Sequence, residues 1–264
     1  MNTSIIARKS IENRSRKAMS NSQVGTYKFE AFPFHLDVRG KLSMGVLGKH
    51  LLNCADAYAA ERGFDVVEQG GEHYTWVLSR LAVELEDLPS CHESFSIQTW
   101  VENVYRLFAD RNFAILNKDE KPIGYVRSVW AMISMETRNP ANLLALYGDR
   151  ITNSICEKEC PIAKPGRIKV SQQEAVSEYV AKYSDLDING HVNSIKYIEH
   201  ILDIFPLDTY KKKALKRFEI AYVAESFYGE TLSFYLEEKN ENEYDIEVRK
   251  SSTEVVVRSK VIFK

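Results

Sequence analysis

The sequence predicts an α+β fold built from two similar units, each a long helix wrapped by an antiparallel β-sheet. Two observations predict this fold. The same order of strand and helix patterns occurs twice along the 264 residues, and short motifs recur between the two halves. Two such units in one chain would form an internal pseudo-dimer.

The repeat is visible in three pairs of short segments. DVRGKL at 37–42 pairs with DINGHV at 187–192, HLL at 50–52 with HIL at 200–202, and RLAVEL at 80–85 with RFEIAY at 217–222. Positions 37 and 50 recur 150 residues later, at 187 and 200. The shared offset indicates that a sharp turn and a helix follow one another in the same way in both halves.

The first half is expected to contain one helix and five strands. The helix is predicted from about 44 to 62, because apolar residues at spacings of three and four share one face: Met44, Leu47, Leu51, Cys54 and Tyr58. Strand patterns occupy 27–38, 74–85, 95–104, 107–116 and 123–135. We assign 25–138 to a first domain and 1–24 to a flexible tail, whose basic, serine-rich composition also fits a transit peptide.

The second half repeats this order. A strand is predicted at 174–183, a helix at 192–205, and further strands at 215–223, 231–238, 244–249 and 254–263. We assign 173–264 to a second domain. The intervening 139–172 contains Pro140, Pro161 and Pro165 and shows no clear period, so it is predicted to be a linker.

Composition narrows the classes of function. The net charge of −2 gives the molecule no general attraction to nucleic acid or anionic membranes. No apolar run reaches the roughly 18 residues that a membrane span needs. The four cysteines lack CxxC spacing, which favours a reducing cytoplasm over a disulfide framework or a metal site. The sequence predicts no metal or other cofactor.

The two turns differ where chemistry could occur. Both have an Asp and a Gly, but the second adds Asn189 and His191 to Asp187 and Gly190. Gly190 allows a tight turn, and the free N–H groups of the following helix could polarise a carbonyl. The alternative is an ordinary turn in which Asn193 only caps the helix.

Hydrolysis of a polarised carbonyl also needs a base that activates water. Asp187, His191 and Glu225 are the candidates, since Glu225 follows a strand expected to pack near the turn. Glu225 could equally be an ordinary surface residue. His50 and His200 occupy equivalent helix positions, which favours a packing role for both.

Several motifs together resemble one family, the acyl-acyl-carrier-protein (acyl-ACP) thioesterases of plant plastids and their bacterial relatives. The motifs are WVLSR at 76–80, TWV at 99–101, SVWAM at 128–132 with ETR at 136–138, and DLDINGHVN at 185–193 followed by KYI at 196–198. The resemblance covers about 27–264. It implies two fused hotdog domains, of which the first shapes a tunnel for the acyl chain, and hydrolysis of a fatty acyl thioester carried by acyl carrier protein.

The resemblance places the family's catalytic set on Asp187, Asn189, His191 and Glu225. One departure matters, because many plant members have a Cys directly after that Glu and this chain has Ser226. We therefore expect direct attack by water instead of a cysteine-bound intermediate. Glu225 and His191 would activate the water, while Asp187 and Asn189 would orient the imidazole and the carbonyl.

Further residues are candidates for substrate contact. In the turn these are Gly190, Val192 and Asn193, and for the acyl chain they are Trp76, Leu47 and Leu51; core packing is the alternative for the last three. An acidic carrier protein would favour a basic docking face. Two clusters could supply it or be solvated loops: Lys211, Lys212, Lys213, Lys216 and Arg217; and Lys164, Arg167 and Lys169. A monomer or a homodimer is expected.

Two other functions share these sequence features. A hotdog hydratase or dehydratase would act on similar thioesters but move a proton at carbon. A non-catalytic acyl-binding protein would keep the cavity and lose the reactive groups. The complete set of Asp187, Asn189 and His191 favours an enzyme, since the first turn lacks the Asn and the His.

Overall fold

A computed structural model describes residues 23–251 and 253–264. The predicted tail therefore lies outside the described residues except for its last two positions. The strands are β1 (Gly25–Glu30), β2 (Val67–Gln69), β3 (Glu72–Leu85), β4 (Ser94–Val104), β5 (Phe108–Leu116), β6 (Pro122–Ser134), β7 (Ser177–Val180), β8 (Leu215–Tyr222), β9 (Thr231–Asn240), β10 (Glu243–Lys250) and β11 (Glu254–Phe263). The α-helices are α1 (Met44–Arg62), α2 (Leu143–Tyr147), α3 (Asp149–Thr152), α4 (Ser194–Asp203) and α5 (Leu207–Lys212).

All strands belong to one antiparallel sheet. Its order is β1-β4-β5-β6-β3-β8-β11-β10-β9-β7, with β2 paired to β3. The halves meet where β3 pairs with β8, and in that register Ala82 lies opposite Glu219. These two positions are equivalent in the repeat that aligns 80–85 with 217–222. A pseudo-two-fold axis therefore passes through this strand pair. The predicted antiparallel sheet is confirmed.

The two main helices, α1 and α4, cross on one face of the sheet. Glycines in α1 permit close contact, because a Cβ on Gly45 would lie 2.2 Å from Glu199 Oε1 and one on Gly48 2.7 Å from Ile195 Cδ1. Leu47, Leu51 and Phe218 are among the buried residues of the core between helices and sheet. The helix contact thus joins the two halves a second time.

Among the element boundaries that differ from the predictions, three have a clear local cause. β1 ends at Glu30 and not at 38, because a 3-10 turn at Pro33–His35 and the following tight turn break the extended chain. β7 is similarly shortened by a 3-10 turn at Tyr183–Asp185. α4 begins at Ser194 and not at 192, because the Asn193 side chain caps it.

The segment at 139–172 is packed against the sheet. It contains α2 and α3, whose Leu143, Tyr147 and Ile151 are buried. Farther on it crosses the sheet face opposite the helices, where Trp100 Nε1 donates to Lys158 O (2.7 Å) and Arg127 Nε donates to Ile162 O (2.7 Å). Within the described part of the chain, no helix is long and apolar enough to cross a bilayer.

Candidate active site

The turn before α4 is organised by one carboxylate. Asp187 Oδ1 accepts from the backbone N–H groups of Asn189 (2.8 Å) and His191 (3.1 Å), and Asp187 N donates to His191 O (2.8 Å). Gly190 closes the turn with φ +81°, a conformation that other residues rarely adopt. The Asp187 carboxylate thus contacts the backbone of Asn189 and His191, whereas the family resemblance implied that Asp187 orients the imidazole or the carbonyl.

The structure brings His191 and Glu225 together. His191 Nε2 lies 3.5 Å from Glu225 Oε2, with 19% of the His191 side chain and 41% of the Glu225 side chain exposed. The Phe227 ring packs against the imidazole in a T-shaped arrangement, with the ring centroids 5.1 Å apart. The other Glu225 oxygen, Oε1, pairs with the guanidinium of Arg138 from the first half. The imidazole of His191 and the carboxylate of Glu225, which can both take up and return a proton, therefore lie in contact and remain accessible to solvent.

These groups lie at the polar end of a cavity of about 670 Å³ between the two halves. Asp187, Asn189, His191 and Glu225 all line it. The first half contributes most of the apolar wall: Leu52, Ala55, Ala59, Phe64, Trp76, Leu78, Val101 and Ile133. A volume in this range suits a small-molecule ligand with a long apolar part.

The predicted contact residues divide between wall and core. Val192, Asn193 and Trp76 line the cavity, but Gly190, Leu47 and Leu51 do not. Leu47 and Leu51 are only 0% and 1% exposed and pack in the core, because they face the sheet. A neighbouring face of the same helix lines the cavity instead, through Leu52, Ala55, Asp56 and Ala59. Ala55 and Ala59 are small and leave room for a ligand, a signal that sequence reasoning missed.

Asn193 has a structural role besides lining the cavity. Its Oδ1 accepts from Ile195 N (2.9 Å), which caps α4. Ser43 occupies the same position before α1 and also caps its helix. The described hydrogen bond of the Asn193 side chain therefore supports the alternative that it is a helix cap.

Two cationic residues on the cavity wall were missed by sequence reasoning. Arg138 pairs with Glu225, as described above. Arg111 is buried, with its guanidinium 4.5 Å from the Tyr58 ring centroid and Nη1 donating to Thr99 Oγ1 (3.3 Å). Burial lowers the pKa of Arg111 to about 10, so it stays charged near neutral pH. Neither residue belongs to a motif that the sequence marks as reactive.

Ser226 is placed away from the reactive groups. Its side chain is fully buried, and it does not line the cavity. Its backbone oxygen accepts from Val192 N (2.8 Å), which ties the segment after β8 to the catalytic turn. A hydroxyl without solvent access is poorly placed to attack a substrate carbonyl.

The first half contains the counterpart of this turn without its reactive groups. Asp37 Oδ1 accepts from Arg39 N (2.9 Å) and Lys41 N (3.2 Å), in the same arrangement as Asp187. The bridges Lys41–Ser90 and His191–Phe227 are equivalent, which aligns Leu88 with Glu225. A separate cavity of about 420 Å³ adjoins the first turn. It has an arginine in place of Asn189 and a leucine in place of Glu225.

The basic cluster at 211–217, one of the two suggested for docking, does not border the larger cavity. Arg217 is buried and pairs with Glu84 and Glu219 (2.7 Å each), so it is not available on the surface. Leu207 and Tyr210, from the same helix as Lys211 and Lys212, line the smaller cavity and not the larger one. The cluster at 211–217 therefore lies beside the first turn.

Comparisons with known proteins show which sequences and structures this chain is similar to. The family model for the acyl-ACP thioesterase N-terminal domain matches residues 23–148. The family model for the C-terminal domain matches residues 168–264. A crystal structure of an acyl-ACP thioesterase from Bacteroides thetaiotaomicron is 58% identical, with a TM-score of 0.87, covering 94% of this chain and all of that one.

More distant relatives also match in structure or in sequence. A 12:0-ACP thioesterase from Umbellularia californica is 16% identical with a TM-score of 0.79, covering 92% of this chain and 98% of that one. A chloroplastic palmitoyl-acyl carrier protein thioesterase from Gossypium hirsutum is 24% identical over 218 residues, which are 78% of this chain. The match spans about half of that relative, 53% of its length.

Proposed function

The chain belongs to the acyl-ACP thioesterase family, and from this premise we propose that it hydrolyses fatty acyl-ACP thioesters to free fatty acid and carrier protein. One observation carries the proposal. His191 Nε2 and Glu225 Oε2 lie 3.5 Å apart in a cavity whose wall from the first half is mostly apolar. An acyl chain fits the apolar part, and its thioester then reaches the polar end.

The reaction that we propose uses water as the nucleophile. Water attacks the thioester carbonyl while the His191–Glu225 pair takes up its proton. The tetrahedral intermediate collapses with cleavage of the carbon–sulfur bond, and the same pair returns a proton to the departing pantetheine sulfur. The buried position of Ser226 supports attack by water over formation of an acyl-enzyme.

The turn supplies the electrophilic side of the site. Asn189 lines the cavity beside His191, and its amide can donate to the carbonyl oxygen as negative charge develops. Asp187 holds the backbone N–H groups of Asn189 and His191 in place. We assign Asp187 to shaping the turn and Asn189 to contact with the carbonyl.

The domain organisation and setting are part of the proposal. We describe 25–138 and 173–264 as two hotdog domains, the first holding the acyl chain and the second the reactive turn. Their pseudo-two-fold relation across β3 and β8 supports this description. Four free cysteine thiols and the bacterial relative support a cytoplasmic setting, with acyl carrier protein as partner.

The test is a set of acyl-ACP thioesters of different chain lengths, with release of the free carrier thiol as the measured product. Thiol release that depends on enzyme and chain length is expected. Hydration of an enoyl-ACP without thiol release would instead indicate a hydratase. Binding of acyl-ACP with no chemical change would indicate a non-catalytic acyl-binding protein.

A further inference from the structure

Arg138 has an unusual backbone conformation. Its φ of +59° lies in the left-handed region, which a residue with a side chain rarely adopts. Three other described residues that are not glycine share a positive φ, and Arg138 alone among these four lines the larger cavity. Such conformations persist where the surrounding structure holds them, and they concentrate at functional sites.

The loop that carries Arg138 is held by several hydrogen bonds. Arg138 N donates to Ser134 O (2.9 Å), and Thr137 N donates to Ser134 Oγ (3.1 Å). Glu136 accepts from His73 N (3.2 Å) and from Ser134 Oγ (3.2 Å), which ties the loop to the start of β3. The backbone at Arg138 is therefore held by the first half of the chain.

The Arg138 side chain crosses from the first half to the second. Its guanidinium pairs with Glu225 Oε1, while Glu225 Oε2 faces His191. The Lys250 ammonium, also close, donates to the backbone oxygen of Glu225 (2.9 Å). Among the described residues, Arg138 and His191 are the two ion-pair partners of this carboxylate.

We propose that Arg138 is a positioning residue that holds the Glu225 carboxylate against His191. A partly exposed glutamate alone would sample several rotamers, and the guanidinium selects the one that points Oε2 toward the imidazole. The inference rests on the proposed hydrolysis. It adds that the first half supplies the orientation of a catalytic group as well as the acyl-binding wall.

The first test replaces the side chain. Arg138→Gln is expected to lower kcat by roughly 10- to 100-fold, because small displacements of reacting groups cost this much, with KM near the wild-type value. Arg138→Lys should recover part of kcat. Arg39→Gln is the matched control, since Arg39 pairs with Asp37 in the equivalent turn, and it should retain wild-type kcat.

The pH profile separates positioning from a general structural role. Among the described residues, Arg138 and His191 pair with the Glu225 carboxylate, and Asp187 lines the same cavity. Lys250 donates to the backbone oxygen of Glu225 and also pairs with Glu230 and Glu254. Removing the Arg138 cation makes protonation of the carboxylate easier. The acidic limb of kcat/KM should therefore move to higher pH in Arg138→Gln. An unchanged limb together with wild-type kcat would overturn the inference.

A glycine variant keeps the test independent of folding. Arg138→Gly relieves the left-handed backbone, so its melting temperature should equal or exceed that of wild type although kcat falls. Millimolar guanidinium should restore part of its kcat and leave Arg39→Gln unchanged. Wild-type kcat in Arg138→Gly would refute the positioning role, whereas absence of acyl-ACP hydrolysis by the wild type would refute the proposed function itself.

Discussion

At the scale of single residues, the reactive pair combines groups from two separate segments. His191 comes from the turn before α4 and Glu225 from the segment after β8. A backbone hydrogen bond from Val192 N to Ser226 O (2.8 Å) connects these two segments. Val192 and Ser226 directly follow His191 and Glu225 in the chain. Backbone hydrogen bonding therefore holds the two segments together. The contact between the imidazole and the carboxylate is not needed for this.

Replacing either member of the pair should remove most activity and leave the fold intact. His191→Ala and Glu225→Gln are each expected to lower kcat/KM by roughly 10²- to 10⁴-fold, the usual contribution of a positioned acid or base. Carrier thiol release measures the loss, and thermal unfolding checks the fold. Because the residues act as one unit, the double variant should lose little more than either single variant. Near-normal turnover in one variant would exclude that residue from the reaction.

Asp185 is a buried carboxylate behind the turn, with 2% exposure. Burial raises its pKa, but hydrogen bonds from Lys182 N, the Tyr179 hydroxyl and His200 outweigh burial, so the net pKa is lowered. A carboxyl whose pKa is lower in the folded state stabilises the protein above its unfolded pKa of about 3.9. That stability is lost as the pH falls through this value and toward the folded pKa.

Asp185→Asn should therefore be less stable than wild type at pH 7, by about 2 kcal/mol, and the difference should shrink as the pH falls. Urea unfolding from neutral to acidic pH measures both curves. The exposed Asp208 supplies a control, because Asp208→Asn should leave the wild-type pH dependence unchanged. A constant difference between wild type and Asp185→Asn at all pH values would contradict this account.

The contrast between equivalent positions made some of these residues predictable. Asn189 and His191 were selected because the first turn has Arg39 and Lys41 in their places. Arg138 lies in the ETR motif at 136–138, but that motif indicated only the family resemblance. Its role was not predictable, because it depends on a left-handed backbone and a partner 87 residues away. Leu47 and Leu51 share an apolar face, and periodicity alone does not tell a core-facing from a cavity-facing side.

At the scale of elements, the two turns are similar in geometry but differ in side chains. Gly190 and Gly40 have φ values of +81° and +71°, and a Cβ at either position would meet nothing within 4 Å. A side chain at either position would therefore destabilise the fold only through its unfavourable backbone conformation, and not through a steric clash. This equivalence gives an internal control for the turn.

Gly190→Ala and Gly40→Ala should each reduce the free energy of unfolding by about 1–2 kcal/mol, the cost of a left-handed conformation. Only Gly190→Ala should also reduce kcat, because that turn holds Asn189 and His191. Chemical denaturation and carrier thiol release distinguish the two effects. Equal loss of activity in both variants would show that the loss comes from reduced stability and not from a change in the catalytic turn.

Elements with a strong period were predictable, and irregular ones were not. The apolar spacing predicted α1 at its observed bounds, Met44–Arg62, and the alternating patterns predicted most of the strands. The 3-10 turn at Pro33–His35 was missed, because the apolar residues around it continue the strand pattern of β1. The packed course of 139–172 was also missed, since hydrogen bonds from Trp100 and Arg127 hold it without any periodicity.

At the scale of the molecule, the repeat has diverged into two unequal cavities. Ala55 lines the larger cavity, and Phe205, which is 150 positions later, lines the smaller one. α4 has 10 residues where α1 has 19, so the second half lacks the helix length that encloses the larger space. The acyl-binding space therefore depends on small residues along α1.

Ala55→Phe should fill part of the larger cavity and shift hydrolysis toward shorter acyl chains. Rates measured across a series of acyl-ACP chain lengths would show the shift. Ala60→Phe places the same bulk on an exposed position of α1, and its chain-length profile should match that of wild type. Identical profiles for Ala55→Phe and wild type would indicate that the acyl chain lies elsewhere.

The pairing of β3 with β8 has a consequence for how the protein behaves on dilution. Two separate subunits that shared a cavity would come apart at low concentration and lose it. Here the partners are tethered within one polypeptide, so their effective concentration is set by the intervening chain and not by the amount of protein present. The residues that meet across the junction remain assembled even when molecules of this protein are scarce.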